Sequence, residues 1–176
     1  MSPALLLPLL LAAAPLPPQD AAVAADASCA TTRPAWPAGL ETWGTREPLA
    51  AGASARNAPV IVIGRAAELR LVALDRVTVA APPARAVEPG TSAGLALFQV
   101  TEPGTYRVAL GAPAWIDVVR AGRTLPSVAH GHGPMCTGIR KIVDFRLTPG
   151  RYVLQLTGAQ ATALPVMIAR SRRAAA

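Results

Sequence analysis

Histidine, cysteine and aromatic side chains are scarce in this chain of 176 residues, which holds two His, two Cys, two Tyr, two Phe and three Trp. So few aromatics leave little for base stacking and argue against a nucleic-acid surface. Lysine is nearly absent too: Arg supplies all but one of the 17 basic residues, Lys141 being the exception. Those arginines are scattered, Arg172 and Arg173 being the only neighbours, so the net charge of +7 reads as dispersed and solvated rather than as a polyanion-binding face. No segment after the N-terminal run is long and apolar enough to cross a bilayer, which excludes stable membrane insertion as a helix. Glycine-rich phosphate loops and dinucleotide fingerprints are missing. The G-x-S-x-G pattern of hydrolases occurs once, at Gly90-Thr-Ser92-Ala-Gly94, but a Pro-rich loop precedes it and a strand follows. The hydrolase motif needs a sharp turn from strand into helix, so a polar turn is expected here instead.

What is present begins with an apolar run of about ten residues, Leu5 to Ala14, the length of a signal-peptide h-region. Small residues follow, placing cleavage near Ala24 or Ala27 and the mature protein in the periplasm or outside the cell. Residues 1–24 are thus read as a leader, 25–57 as an irregular N-terminal arm, 58–170 as one folded domain and 171–176 as a disordered tail. The arm contains Pro34, Pro37 and Pro48 and no sustained periodicity, yet Trp36, Leu40, Trp43 and Leu49 give it apolar groups with which to dock.

The domain carries a near-repeat. Phe98-Gln-Val-Thr-Glu-Pro-Gly-Thr-Tyr106-Arg-Val-Ala-Leu110 is answered by Phe145-Arg-Leu-Thr-Pro-Gly-Arg-Tyr152-Val-Leu-Gln-Leu156, and these two copies hold every Phe and Tyr of the chain. After each Pro-Gly turn a strand begins with alternating side chains: Tyr106, Val108 and Leu110 face one way, as do Tyr152, Leu154 and Leu156. Thr105, Arg107, Arg151 and Gln155 face the other. One buried and one wet face is the mark of antiparallel sheets in a sandwich. With further strand candidates at Pro59–Ile63, Glu68–Leu74, Val77–Val79, Leu95–Val100, Trp115–Arg120, Thr124–Ala129, Ile139–Leu147 and Leu164–Ala169, the chain reads as an all-β antiparallel sandwich or jelly roll of about seven to nine strands.

Cys29 and Cys136 form an even pair in a chain read as exported, so a disulfide between them is expected. One cluster could carry chemistry: His130-Gly-His132-Gly-Pro-Met135-Cys136. Imidazole with soft sulfur suits copper or zinc, and Gly131 and Gly133 would let both rings turn to one ion. Cys136 cannot be both ligand and half of a disulfide, and the alternative is a turn whose histidines bond locally or face solvent. Both readings stay open; apart from this metal alternative (Cu, Zn or Fe) no cofactor is expected. A catalytic histidine would find its partner in Asp117 or Asp144. Nothing in the spacing of the carboxylates selects a glycosidase pair.

The stretch from Thr105 to Arg170, with Trp115-Ile-Asp-Val-Val-Arg-Ala-Gly122 and the Pro-Gly-x-Tyr152 turn, resembles the jelly-roll sandwiches appended to secreted bacterial peptidases, which implies a fold and no activity. Trp115-Ile-Asp-Val-Val, His130-Gly-His-Gly-Pro, Cys136-Thr-Gly-Ile-Arg-Lys141 and Leu147-Thr-Pro-Gly-Arg-Tyr152 are similar to small exported proteins of alphaproteobacteria, some automatically named homogentisate 1,2-dioxygenase. That name implies non-haem iron held by His130, His132 and one of Asp117, Asp144 or Glu102. From the residues themselves the expectation is a monomeric, exported, non-catalytic binding or envelope-accessory module. Its recognition surface lies in the loop from Gly131 to Lys141, where Arg140 and Lys141 add charge, and its ligand in the envelope or outside the cell is unspecified.

Overall fold

The computed structural model describes residues 29–171. The expected leader with its cleavage site and residues 172–176 lie outside the described residues. The chain divides into two compact units, Met1–Arg33 and Pro34–Ala176. In the first, the Thr32 N–H donates to the Cys29 carbonyl at 3.2 Å. The second holds eleven strands: β1 (Arg46–Ala50), β2 (Ala66–Arg70), β3 (Val72–Ala73), β4 (Ser92–Val100), β5 (Gly104–Leu110), β6 (Trp115–Arg120), β7 (Arg123–Thr124), β8 (Ser127–Gly131), β9 (Lys141–Leu147), β10 (Gly150–Ala159) and β11 (Ala163–Arg170). They form a six-stranded sheet in the order β1-β2-β11-β5-β9-β8 and a five-stranded sheet in the order β3-β4-β10-β6-β7. The fold is an all-β sandwich. All ladders between these strands are antiparallel except that of β1 with β2, which makes the larger sheet mixed.

The near-repeat explains the architecture. Each Pro-Gly turn carries the chain from one sheet to the other: β4 lies in the smaller sheet and β5 in the larger, β9 in the larger and β10 in the smaller. The copies then pair with each other. Tyr106 lies opposite Phe145 in the β5–β9 ladder, and Tyr152 opposite Phe98 in the β10–β4 ladder. Phe98 and Tyr152 stack with centroids 5.4 Å apart, as aromatic pairs prefer when offset. Tyr106, Val108 and Leu110 meet Tyr152, Leu154 and Leu156 in one core, joined by Phe98, Phe145 and Leu164. Burying each such side chain contributes about 1.5 to 3 kcal/mol, so this pattern is the main stabilising term of the sandwich.

The arm is irregular as far as Thr45 and then enters the larger sheet as β1. Leu40 and Trp43 are fully buried in a second apolar cluster with Ala66, Ala109, Met167 and Ala169. Those four alternate with core residues along β2, β5 and β11, so they lie on the outer face of the sheet. The three alanines among them let the arm lie close. Two expected strands are absent. Around Val60 there is a single parallel bridge to Leu97, and Val77–Val79 joins no ladder, its Val77 N–H donating to the Leu74 carbonyl at 3.0 Å and its Thr78 N–H to the Ala53 carbonyl at 2.8 Å. The expected strand Thr124–Ala129 splits into β7 and β8 because the chain changes sheets at Leu125-Pro126. Ser171 donates its N–H to the Thr105 carbonyl at 2.8 Å, so ordered chain reaches that residue.

Candidate functional site

Four chain segments converge where β5 passes over to β6. Lys141, the first residue of β9, lies opposite Leu110, the last of β5. The Arg140 N–H donates to the Leu110 carbonyl at 2.8 Å, and Lys141 Nζ donates to the Ala114 carbonyl at 3.4 Å. The crossover then delivers Trp115, which lies opposite Thr157 in the β10–β6 ladder. The Pro-rich loop after Ala81 closes over them and supplies Arg85 and Glu88. Together with His130 and His132 from the end of β8 these residues line a cavity of about 420 Å³, within the range of small-ligand sites.

The loop that forms this wall is fixed from beneath. Gln155, expected on the wet face of β10, does face away from the core, yet it is fully buried because the segment Ala80-Ala81 covers it. Its Oε1 accepts from the Ala80 and Ala81 N–H groups at 2.8 and 3.3 Å, and its Nε2 donates to the Ala81 carbonyl at 3.0 Å and to Asp117 Oδ2 at 3.3 Å. Asp117 also accepts from Trp115 Nε1 at 3.0 Å. The indole is therefore oriented by a buried carboxylate. Thr157, next along the same face, is fully buried, and its Oγ1 has no hydrogen-bond partner among the described residues.

The Trp115 ring gathers positive charge. Lys141 Nζ lies 5.0 Å from its centroid and the Arg85 guanidinium carbon 5.9 Å, both within cation–π range. Burial and, after it, the Arg85 charge push the Lys141 ammonium below its ordinary pKa. Among the described residues none of Arg85, Arg140 and Lys141 forms an ion pair with a carboxylate. A more open hollow beside Val60 and Val62 offers less, since its Arg170 is already paired with Glu102.

No protein-family model matches the chain, and no curated protein matches it. The site therefore stands on its own geometry. Of the sequence candidates, Arg140, Lys141, His130 and His132 all line the cavity; Cys136 does not, and it is disulfide-bonded to Cys29. Its sulfur is no thiolate ligand. The remaining donors do not make the iron site that the dioxygenase resemblance implies: among the described residues no three His, Cys, Asp or Glu side chains converge. Asp117 is committed to Trp115 and Gln155, Asp144 sits 3.6 Å from Arg107, and Glu102 pairs with Arg170. Burial raises the Asp144 pKa, an effect that the Arg107 charge opposes. His132 Nδ1 meets the Arg140 carbonyl oxygen at 3.2 Å, which is consistent with local hydrogen bonding in the loop.

The glycines of the loop have other work than freeing the rings. A Cβ at Gly133 would stand 2.3 Å from the Ile139 carbonyl oxygen, whereas one at Gly131 would meet nothing within 4 Å. Gly133 lets the two arms of the loop approach. Ser92 of the hydrolase-like pattern is a buried residue of β4, with strand on its C-terminal side and no helix. Sequence reasoning missed Arg85, Glu88 and Thr157 as site residues, and no local signal could have found them: Arg85 and Glu88 arrive on a loop pinned by Gln155, and Thr157 through its register opposite Trp115.

Proposed function

We propose that the protein is an exported, non-catalytic binding module, an accessory of the cell envelope, and that its ligand is anionic and enters the cavity beside Trp115. The observation that carries this reading is the convergence of Arg85, Arg140 and Lys141 on one concavity in which, among the described residues, Glu88 is the single carboxylate. Uncompensated cations held in place before any ligand arrives lower the cost of organising an anion site. Among the described residues the hydrogen bond recorded for these histidines is the local one between His132 Nδ1 and the Arg140 carbonyl. Among the described residues no helix is long and apolar enough to cross a membrane, in keeping with a module that is not inserted as a helix. A disulfide is compatible with an oxidising, exported compartment.

The test is a set of thermal melts at constant ionic strength. Millimolar phosphate, citrate and glycerate are each expected to raise the melting temperature above that in chloride, and neutral glycerol is not, because a ligand that binds only the folded state stabilises it. Equal melting temperatures in all five would contradict the reading. His130→Ala and His132→Ala should change these shifts without unfolding the protein.

A further inference from the structure

The charge balance of the cavity says which kind of anion it takes. Among the described residues, Arg85, Arg140 and Lys141 bring three positive charges and Glu88 one negative, so three minus one leaves two. We propose that the cavity is a phosphomonoester site in which a terminal phosphate lies between Lys141 and Arg85 beside the Trp115 ring. The proposal rests on the binding-module reading and specifies its ligand.

A phosphomonoester carries about −1.5 to −2 at neutral pH and matches the surplus of two, whereas a carboxylate would leave one cation uncompensated. Two of these cations already share one ring, at 5.0 and 5.9 Å from its centroid, and burial first, then repulsion from Arg85, lowers the affinity of Lys141 for its proton. A dianion between them converts that repulsion into two charge-assisted contacts, and Arg85 can present its planar fork to two phosphate oxygens. The second observation is Thr157. Its hydroxyl is fully buried, lines the same cavity and has no partner among the described residues, a costly state that a phosphate oxygen would relieve. Trp115 Nε1 is already engaged by Asp117, so the ring offers an apolar surface and no donor. A cavity of about 420 Å³ leaves room beyond the phosphate for the group it esterifies, with Val87 and Ala114 as its apolar wall. Side chains from distant segments build this site, which is why no phosphate-loop motif announces it.

Calorimetric titration of the full untagged chain with glycerol phosphate, glycerate and glycerol tests the proposal. Glycerol phosphate is expected to bind one per chain, glycerate at least about tenfold more weakly, and glycerol not at all. Arg85→Gln and Lys141→Met should each weaken glycerol phosphate by at least about tenfold with melting temperatures no lower than wild type; Thr157→Val should weaken it less. Sedimentation with phosphatidic acid vesicles, against phosphatidylcholine vesicles, separates the sources of the group. Binding to phosphatidic acid alone supports the same site with a lipid as donor; binding of soluble glycerol phosphate supports a free ester. Glycerate binding as tightly as glycerol phosphate, still weakened by the charge variants, overturns the phosphate assignment and leaves the anion-binding module standing. Binding that Arg85→Gln and Lys141→Met leave unchanged overturns the location, and failure of every anion and both vesicles overturns both readings.

Discussion

Tyr106 and Tyr152 each donate a hydroxyl hydrogen to the carbonyl four residues earlier, Glu102 at 2.9 Å and Thr148 at 2.7 Å, and so clasp the two Pro-Gly turns. Tyr152 has more partners, since its oxygen also accepts from the Thr148 N–H at 3.2 Å and from Arg120 at 3.0 Å. Tyr152→Phe is therefore expected to cost about 2 kcal/mol and Tyr106→Phe about 1 kcal/mol in urea unfolding; equal costs would show that the extra partners contribute nothing. Lys141 works the other way. Its folded pKa lies below 10.5, first through burial and then through Arg85, so between that lowered value and 10.5 the unfolded chain binds more protons at this side chain. Stability from this group rises with pH through that window, and the penalty is complete below it. Lys141→Met removes the penalty. The variant should be more stable than wild type at neutral pH, and the difference should shrink as pH climbs toward 10.5; a difference that is flat with pH would contradict the account.

Elements reveal which parts of the molecule could be read from the chain. The alternation of Tyr106, Val108 and Leu110 and of Tyr152, Leu154 and Leu156 gave their core face, because side-chain period and burial coincide in strands that have one covered side. Gln155 shows the limit: periodicity assigns a side, but it does not say that another segment will cover that side, and here Ala80-Ala81 does. The same holds for Trp43 and Leu40, whose burial on the outer face of the larger sheet depends on a segment without periodicity of its own. Within the site, Arg140 and Lys141 were legible as adjacent charges beside the histidines, whereas Arg85 and Thr157 were not, since a covering loop delivers the first to Trp115 and strand register the second. The loop from Gly131 to Arg140 is the element on which binding should depend. Gly133→Ala must push Ile139 away and displace the chain leading into Arg140, so anion affinity should fall while the sandwich melts cooperatively; Gly131→Ala, with open space around it, should match wild type. Equal affinities of both variants, measured by the same titration, would count against a role for this loop geometry.

At the scale of the whole molecule, a chain of +7 net charge disperses its arginines and yet concentrates two uncompensated charges in one cavity. The excess that looks like background in composition becomes local when the fold gathers it. The disulfide acts at this scale too. Joining Cys29 to Cys136 closes a loop of about a hundred residues, so Cys136→Ser is expected to lower stability by about 2 to 4 kcal/mol, and a reductant should do the same to wild type but not to the variant. Identical denaturation curves with and without reductant would deny the bond a stabilising role. Trp115 lies at the centre of the cavity's cations, and the chain's three tryptophans provide an internal comparison. Nitrogen-15 NMR of the three indole N–H groups during a glycerol phosphate titration reads the cavity and the arm together. The account predicts that the Trp115 resonance moves to saturation while those of Trp36 and Trp43 stay fixed; a stationary Trp115 resonance, or equal movement of all three, would contradict it.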